Sequence, residues 1–358
     1  MQHTHPSTLF KPQTSYSIAL LCSSSHILKL IIIHGSLVFL SHTLLLFFLS
    51  VLSHSIITNP QLRVGYYSDK CPRVESIVRE LMRRAMARDP RSVASVLRFQ
   101  FHDCFVNGCD ASILLDDTST MLGEKLALST INSLKSFDVI DDIKEALEKE
   151  CPGVVSRADI IIMAARDAVG LSGGPKWEVK LGREDSLTAS QADSDNIMPS
   201  PRADASTLIP LFRRFNLSVT DLVALSGSHS IGHARCFSIA FRLYNQLDSH
   251  MDPSFRAKLD HICPKDCDGN VTAGFDQTPL RFDNRYFKDL VFSRGVLNSD
   301  QTMFSGSYRT KKLVRWFSRD EKAFFDAFVE GMVKLGDLSS GRRGEVRRNC
   351  RVVSGGSA

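Results

Sequence analysis

The chain has 358 residues, with 44 Lys or Arg against 39 Asp or Glu and a formal net charge of +5. This length is enough to bury a substantial core in one or two domains. The charge is not extreme, and no clustered basic stripe of the kind found in nucleic-acid-binding proteins stands out. We therefore expect no nucleic acid among the partners.

The first 60 residues are predicted to be an N-terminal extension that contains a secretory signal. Residues 30–58 are strongly apolar, most densely over 37–52, and the run lies between Lys29 and small polar residues. This pattern is typical of a removed signal, and we expect cleavage between residues 53 and 61. Two alternatives stay open. The run could be an uncleaved membrane anchor, since its length approaches the roughly 20 residues that a membrane-spanning helix needs. The other alternative is that Met1 is not the true start.

The remainder of the chain is predicted to be mostly helical. Apolar residues recur at helical spacing in ten segments: 74–85, 93–101, 139–147, 158–171, 208–215, 220–225, 229–244, 255–262, 284–293 and 321–335. Residues 177–182 are strand-like but short. The polar segment 186–201 ends in two prolines and predicts an irregular crossing between two halves. The expected class is all-α with minimal β structure.

Cysteine usage indicates an oxidising compartment. Eight of the nine cysteines follow the signal, and no paired CxxC spacing suggests a cytosolic metal site. Two glycosylation sequons, at Asn216 and Asn270, point the same way.

The segment from Arg98 to Ser112 carries the most chemistry. Arg98 and His102 are four residues apart in a helical pattern, so both side chains lie on one face of the helix. A fixed cation beside a titratable base can move a proton and stabilise a developing negative charge. The alternative is an ordinary solvated Arg/His face followed by an acidic turn.

The loop after this helix offers oxygen ligands for a hard cation. Asp103, Asp110 and the Ser112 hydroxyl, with turn carbonyls near Val106 and Gly108, could supply the six to eight oxygens that Ca²⁺ prefers. A calcium ion there would fix the backbone next to His102.

Two long motifs carry a family resemblance. The stretch RFQFHDCFVNGCDASILLDD resembles the distal-helix signature of the plant secretory (class III) haem peroxidases, and LSGSHSIGHARC resembles their proximal haem-ligand signature. The resemblance extends from Gln61 to Arg351. It implies a two-domain haem peroxidase fold, with one haem b between a mainly distal half (61–200) and a mainly proximal half (201–358).

The resemblance also implies an activity and its partners. Such an enzyme reduces hydrogen peroxide and oxidises small phenolic donors by successive one-electron steps, with His102 moving the peroxide proton and Arg98 stabilising charge as the O–O bond breaks. It implies a monomer secreted to the apoplast or cell wall. The mild basicity would suit an acidic wall polysaccharide. The rival class is a non-catalytic, calcium-stabilised wall-binding protein, against which the intact Arg98, His102 and His229 argue.

By resemblance, His229 is the haem axial ligand. Small residues crowd it, which allows backbone to approach a flat macrocycle. Asp300 matches the carboxylate that accepts the other ring N–H, and Pro199 matches a proline at the exposed haem edge, where donors bind. The competing zinc pair with His233 lacks the glutamate of HExxH.

Two calcium ions are implied, one beside each working histidine. The distal ligands by resemblance are Asp103, Val106, Gly108, Asp110, Ser112 and, through water, Glu124. The proximal ligands are Ser230, Asp276, Thr278, Arg281 and Asp283. The spacing from Asp276 to Thr278 is one residue shorter than the usual family pattern.

Two positions depart from the family. Thr130 stands where an asparagine usually accepts a hydrogen bond from the distal histidine, and its hydroxyl is expected to do so on a shorter arm. Arg157 stands where a cysteine usually bridges to the C-terminus. The implied bridges are Cys71–Cys151, Cys104–Cys109 and Cys236–Cys263. Cys350 is then free, paired with Cys267 or joined to another chain, and we expect it to be free.

Overall fold

The computed structural model describes residues 62–245 and 250–354. Contacts group Pro60–Ala358 into one unit. The predicted division near residue 200 into distal and proximal halves stays a prediction. The signal or anchor predicted within residues 1–60 lies outside the described residues.

Thirteen α-helices are the main regular structure of the described part of the chain and hold about half of its residues. In chain order they are α1 Val74–Arg88, α2 Ser92–Phe105, α3 Phe137–Glu150, α4 Arg157–Leu171, α5 Gln191–Ile197, α6 Ala205–Arg213, α7 Val219–Ser226, α8 Cys236–Ala240, α9 Pro253–Ile262, α10 Arg285–Val291, α11 Asn298–Ser305, α12 Tyr308–Arg319 and α13 Glu321–Gly336. Within the described ranges the strands are only β1, His233–Arg235, and β2, Thr272–Gly274. The prediction of a mostly helical fold is confirmed.

Helix α4 is the centre of the core. Of its 15 residues, 13 are buried, nine apolar and four charged, and Ser156 caps its first turn by accepting a hydrogen bond from the Asp159 amide. It packs extensively against α2, which positions Arg98 and His102, and against α1, whose buried face repeats every three or four residues. The distal helix is therefore held against the most deeply buried element.

The segment 229–244 was expected to be one helix, and that prediction is wrong. Gly227–Ser230 is a 3₁₀ turn, His233–Arg235 pairs antiparallel with Thr272–Gly274, and α8 begins only at Cys236. Gly232 breaks the helix with a φ of +97°, and a side chain there would press on Ala94 of α2. The loop that carries His229 is thus packed directly onto the distal helix.

Two further expectations need correction. The crossing 186–201 contains helix α5, which Ser190 caps through the Asp193 amide, so it is not irregular throughout. Residues 177–182 form no strand ladder; Leu181 makes a single antiparallel bridge with Arg63. Helices α11 and α12 were not predicted.

The C-terminal segment runs across the loop that follows α2. The Cys109 amide donates to the Leu338 carbonyl (3.1 Å), the Asp116 amide donates to the Arg351 carbonyl (2.9 Å), and Arg347 donates to the Ala111 carbonyl (2.6 Å). A side chain at Gly108 would collide with the backbone of Ser340. Residues more than 200 positions apart therefore shape one loop.

None of the helices in the described ranges combines the length and the apolar character that crossing a bilayer requires.

Candidate active site

Helix α2 brings Arg98 and His102 into direct contact. The spacing of four residues stacks them, and Arg98 Nε donates a hydrogen bond to His102 Nε2 at 2.9 Å. His102 is only 2% exposed. The second ring nitrogen, Nδ1, is buried without a hydrogen-bond partner in the described part of the chain.

The surroundings keep His102 neutral. Burial, and then the neighbouring Arg98 guanidinium, hold the pKa of the imidazole well below its usual value. Burial, with a smaller contribution from Arg235, lowers the pKa of Arg98 to about 10, which still leaves it charged at neutral pH. The pair is a neutral base beside a fixed cation.

Backbone and hydroxyl groups fix the Arg98 guanidinium. It donates to the Ser129 carbonyl at 2.5 Å and to the Ser133 hydroxyl at 3.2 Å. The sequence interpretation missed Ser133, since a serine four residues after Ser129 in a turn-rich segment carries no distinctive signal. Arg98 is thus held from both its own helix and the loop before α3.

Thr130 does not contact His102 by a hydrogen bond. Its hydroxyl donates to the Glu124 and Ala127 carbonyls, the latter at 3.0 Å. The hydroxyl of this short side chain hydrogen-bonds to nearby backbone carbonyls, as threonine commonly does in turns. The expected acceptor role toward His102 is absent from this structure.

His229 lies in the 3₁₀ turn Gly227–Ser230, and its Nδ1 is 2.8 Å from Oδ1 of Asp300. Asp300, 1% exposed, also accepts from the Tyr286 hydroxyl at 3.1 Å and from the Leu297 amide at 3.1 Å. Burial, and then the Asp300 charge, raise the pKa of Tyr286 well above its usual value, so the phenol stays a donor. Three donors therefore converge on one buried carboxylate.

The other face of His229 suits a haem ligand. The imidazole stacks on Phe275 with ring centroids 4.0 Å apart, which sets its plane. With Nδ1 turned to Asp300, Nε2 has no hydrogen-bond partner in the described ranges, and the side chain is 35% exposed. A buried carboxylate behind one nitrogen and an open second nitrogen fit axial ligation of haem iron.

The zinc alternative gains nothing from the structure. His229 and His233 belong to no group of three His, Cys, Asp or Glu side chains that could hold a metal ion within residues 62–245 and 250–354. His233 lies in β1, beyond the break at Gly232.

The loop after α2 gathers buried oxygen atoms that lack partners. Asp103 Oδ1, the Ser112 hydroxyl and both Glu124 carboxylate oxygens are buried without hydrogen bonds among the described residues. Burial, and then the charge of Asp110, raise the pKa of Asp103. Burial, with the charges of Asp103 and Asp110, raises the pKa of Glu124, and burial raises that of Asp110 to about 6. Such crowding of unsatisfied carboxylates fits a bound cation, and carbonyls of Val106 and Gly108 lie in the same loop.

Asp193, on helix α5, is a residue of this region that the sequence interpretation missed. Its carboxylate accepts from the side-chain Nδ2 of Asn107 at 3.0 Å, and its charge adds to burial in raising the pKa of Glu124. The helix that carries it was read as an irregular crossing, so no signal placed it near the loop.

The proximal loop also comes together despite its shortened spacing. The Ser230 hydroxyl donates to the Arg281 carbonyl at 3.2 Å and accepts from the Asp283 amide at 2.8 Å. Thr278 Oγ1 lies 3.2 Å from Asp283 Oδ1, and its amide donates to Asp276 at 2.7 Å. Asp276 Oδ2 is buried without a partner in the described part of the chain, and burial raises the pKa of this carboxyl to about 7. These donors fit a second oxygen site.

The disulfides agree with the sequence interpretation. Cys71–Cys151, Cys104–Cys109 and Cys236–Cys263 are bonded, and Cys267 and Cys350 are free. Arg157 is fully buried, and its backbone amide and guanidinium both approach Asp185. Pro199 follows α5 and is half-buried.

Comparison with known proteins agrees with this geometry. The family described as Peroxidase matches residues 78–320. The chain is 66% identical to Peroxidase 17 of Arabidopsis thaliana over 304 residues, covering 84% of this chain and 92% of that protein. It is 46% identical to Peroxidase 49 of Arabidopsis thaliana, covering 81% and 90% of the two chains. It is also 46% identical to Peroxidase N of Armoracia rusticana, covering 82% and 91%.

Peroxidases use hydrogen peroxide and donor substrates, and the family implies a haem cofactor, for which His229 offers a suitable ligand. The chain belongs to the plant class III haem peroxidases.

Proposed function

We propose that this peroxidase is secreted and oxidises small phenolic donors by one-electron steps, with Arg98 and His102 as the catalytic pair. The observation that carries the assignment of the pair is the 2.9 Å hydrogen bond from Arg98 Nε to a buried imidazole of depressed pKa. Haem, held through His229, supplies the redox-active iron.

The residues of the chain divide the remaining work. Neutral His102 accepts a proton from hydrogen peroxide at Nε2, the nitrogen whose lone pair accepts the Arg98 hydrogen bond in this structure, and returns it to the departing oxygen. Arg98 stabilises negative charge as the O–O bond breaks, held by Ser129 and Ser133. Asp300 draws the proton of His229 Nδ1 and strengthens the ring as an electron donor.

Two calcium ions complete the proposal. Unpartnered oxygens of Asp103, Ser112 and Glu124 support the distal ion, and the buried Asp276 oxygen supports the proximal one. Each site adjoins a working histidine in sequence, so bound calcium would fix the backbone at His102 and at His229.

The location and the donors rest on sequence features. An apolar N-terminal run, three disulfides and two sequons support secretion to the cell wall. Phenolic donors would bind near Pro199. The enzyme is proposed to act as a monomer, with acidic wall polysaccharide as a macromolecular partner.

One experiment tests the catalytic assignment. The haem-loaded enzyme should show a Soret band and oxidise guaiacol, and His102→Leu should retain the band while losing roughly 10²–10⁴-fold in the rate of reaction with peroxide. Arg83→Gln, on exposed α1, is the matched control and should behave as wild type. A His102→Leu enzyme of wild-type rate would contradict the role of His102. A Soret band without guaiacol oxidation would favour the non-catalytic alternative.

A further inference from the structure

Helix α12 exposes a face made of cations and aromatic rings. Its buried side is formed by Thr310, Val314 and Phe317. At 3.6 residues per turn, seven other side chains fall within an arc of about 160° on the opposite side. They are Tyr308, Arg309, Lys311, Lys312, Arg315, Trp316 and Arg319. The sequence predicted no basic stripe, and for this helix that prediction is wrong. Folding aligns cations that look scattered along the chain.

These five cations are not neutralised by neighbouring acids. In the part of the chain that the structure describes, none of them forms an ion pair with a carboxylate; Lys311 and Arg315 lie instead over the Phe304 ring, at 5.0 and 5.6 Å. The acids that follow the helix are engaged elsewhere: Asp320 accepts from the Ala323 amide and Glu321 from the Asn284 amide. The positive charge of the face is therefore available to a ligand.

Cations on another exposed helix show the contrast. On α1, Arg83 and Arg84 pair with Glu80, at 2.9 and 2.8 Å, and Arg88 pairs with Asp138 at 3.2 Å. Those arginines are exposed, as four of the five cations of α12 are, but each of them has a carboxylate partner. The two helices therefore differ in whether carboxylates lie beside their cations and not in the number of arginines.

Two aromatic rings stand among the cations. Tyr308 is 81% exposed and Trp316 is 52% exposed, the latter stacked on buried Phe317 with centroids 5.5 Å apart. Exposing a large aromatic ring to water is unfavourable in free energy, and a partner that covers the ring removes this cost. A flat ring can cover the C–H face of a sugar, while the adjacent cations meet its charged substituent.

We propose that the exposed face of α12 binds a linear acidic polysaccharide whose sugars each carry a carboxylate, such as polygalacturonate. The charge is complementary, and the helix, about 18 Å long, spans several sugars. An anionic membrane fits less well, because the apolar side of α12 is already buried and cannot insert. This inference rests on the proposed secretion, since the ligand is extracellular.

The test uses the haem-loaded mature enzyme and soluble polygalacturonate, with binding measured by calorimetry at several salt concentrations. The triple variant Arg309→Gln, Lys312→Gln, Arg319→Gln removes three unpaired cations. The control triple Arg83→Gln, Arg84→Gln, Arg88→Gln removes the same charge from α1. We expect the α12 variant to bind about tenfold more weakly at low salt, and the control to stay within about twofold of wild type.

Two further arms separate the ligand chemistry. Trp316→Ala should weaken polygalacturonate binding without changing its salt dependence. Fully methyl-esterified pectin, which carries no carboxylate charge, should bind neither the wild-type enzyme nor the Trp316→Ala variant. Guaiacol oxidation in free solution should be unchanged in all variants. A wild-type enzyme that fails to oxidise guaiacol would count against the proposed function and not against this surface. Equal weakening by both triples, or tighter binding of duplex DNA than of polygalacturonate at equal charge concentration, would overturn the proposal.

Discussion

Nδ1 of His229 lies 2.8 Å from Oδ1 of Asp300, and the Tyr286 hydroxyl reaches the same oxygen at 3.1 Å. The two hydrogen bonds act on the imidazole in opposite directions. The carboxylate draws the ring proton toward itself and makes the ring a stronger donor, whereas the tyrosine withdraws charge from the carboxylate. The Tyr286 hydrogen bond therefore weakens the effect of Asp300 on the His229 imidazole.

Substitutions at these two positions should shift the reduction potential of the haem iron with opposite signs. Asp300→Asn should raise it by tens of millivolts, about 59 mV for each tenfold change in equilibrium constant, and Tyr286→Phe should lower it by less. Spectroelectrochemical titration of the three proteins measures both. Shifts of the same sign would contradict the moderating role of Tyr286.

Thr130→Asn should speed the reaction with peroxide. The Thr130 hydroxyl bonds to backbone carbonyls and leaves His102 Nδ1 without a partner among the described residues, so an asparagine with a longer arm could orient the ring. We expect a gain of about tenfold, or about 1.4 kcal/mol, by stopped flow. Thr130→Val, which removes the hydroxyl but keeps the shape, should match wild type. Equal rates for wild type and the Thr130→Asn variant would sink the idea.

Removing calcium should abolish activity before the protein unfolds. Without the ion, the buried oxygens of Asp103, Glu124 and Asp276 have no partner in the described part of the chain, and the backbone beside both histidines is released. Activity and circular dichroism should be followed during exhaustive chelation, with metal content checked by elemental analysis. Full activity in a protein shown to contain no calcium would rule this out.

Arg157→Cys should form a bridge with Cys350 and stabilise the fold. Burial raises the pKa of the Cys350 thiol, and the charge of buried Arg157 opposes that rise, as expected of neighbouring groups. Two guanidinium nitrogens of Arg157 have no partner in the described ranges. A bridge would close a loop of nearly two hundred residues, with a ceiling of about 5 kcal/mol and a gain of several degrees in Tm. Arg157→Cys with Cys350→Ser is the control. A bridged protein with an unchanged Tm would contradict the argument.

The two free thiols should differ in reactivity. Burial raises the pKa of Cys350 to about 11, whereas Cys267 is half-exposed. At pH 8 iodoacetamide should label Cys267 in the folded protein and Cys350 only after denaturation, as read by mass spectrometry. Because Cys350 loses its proton more readily when unfolded, its contribution to stability should fall between about pH 9 and pH 11. A Cys267–Cys350 cross-linked peptide in unreduced protein would refute the free-thiol assignment.

Local patterns were enough to predict much of this molecule. The spacing of Arg98 and His102 predicted their contact, because a helix fixes the geometry of residues four apart. Family motifs supplied His229 and Asp300, which are 71 positions apart and which no local pattern could join.

What the sequence could not show depends on contacts between distant segments. The break at Gly232 reflects its packing on Ala94, and Asp193 reaches the loop after α2 only because α5 folds beside it. Helix α12 was missed because its apolar residues are few among cations, and with it the alignment of those cations was missed. The Thr130 hydroxyl donates to backbone carbonyls and not to His102, and this partner depends on how the loop around Thr130 folds.

The crossing of the C-terminal segment over the loop after α2 imposes an order on biosynthesis. Cys109, Ala111 and Asp116 bond to residues 338–351, which are translated more than 220 residues later. A chain that folds as it emerges can build the helices around His102 early, but the loop beside that histidine lacks these partners until residues 338–351 have emerged. A chain that stops before residue 338 would therefore lack the hydrogen bonds that shape this loop beside His102.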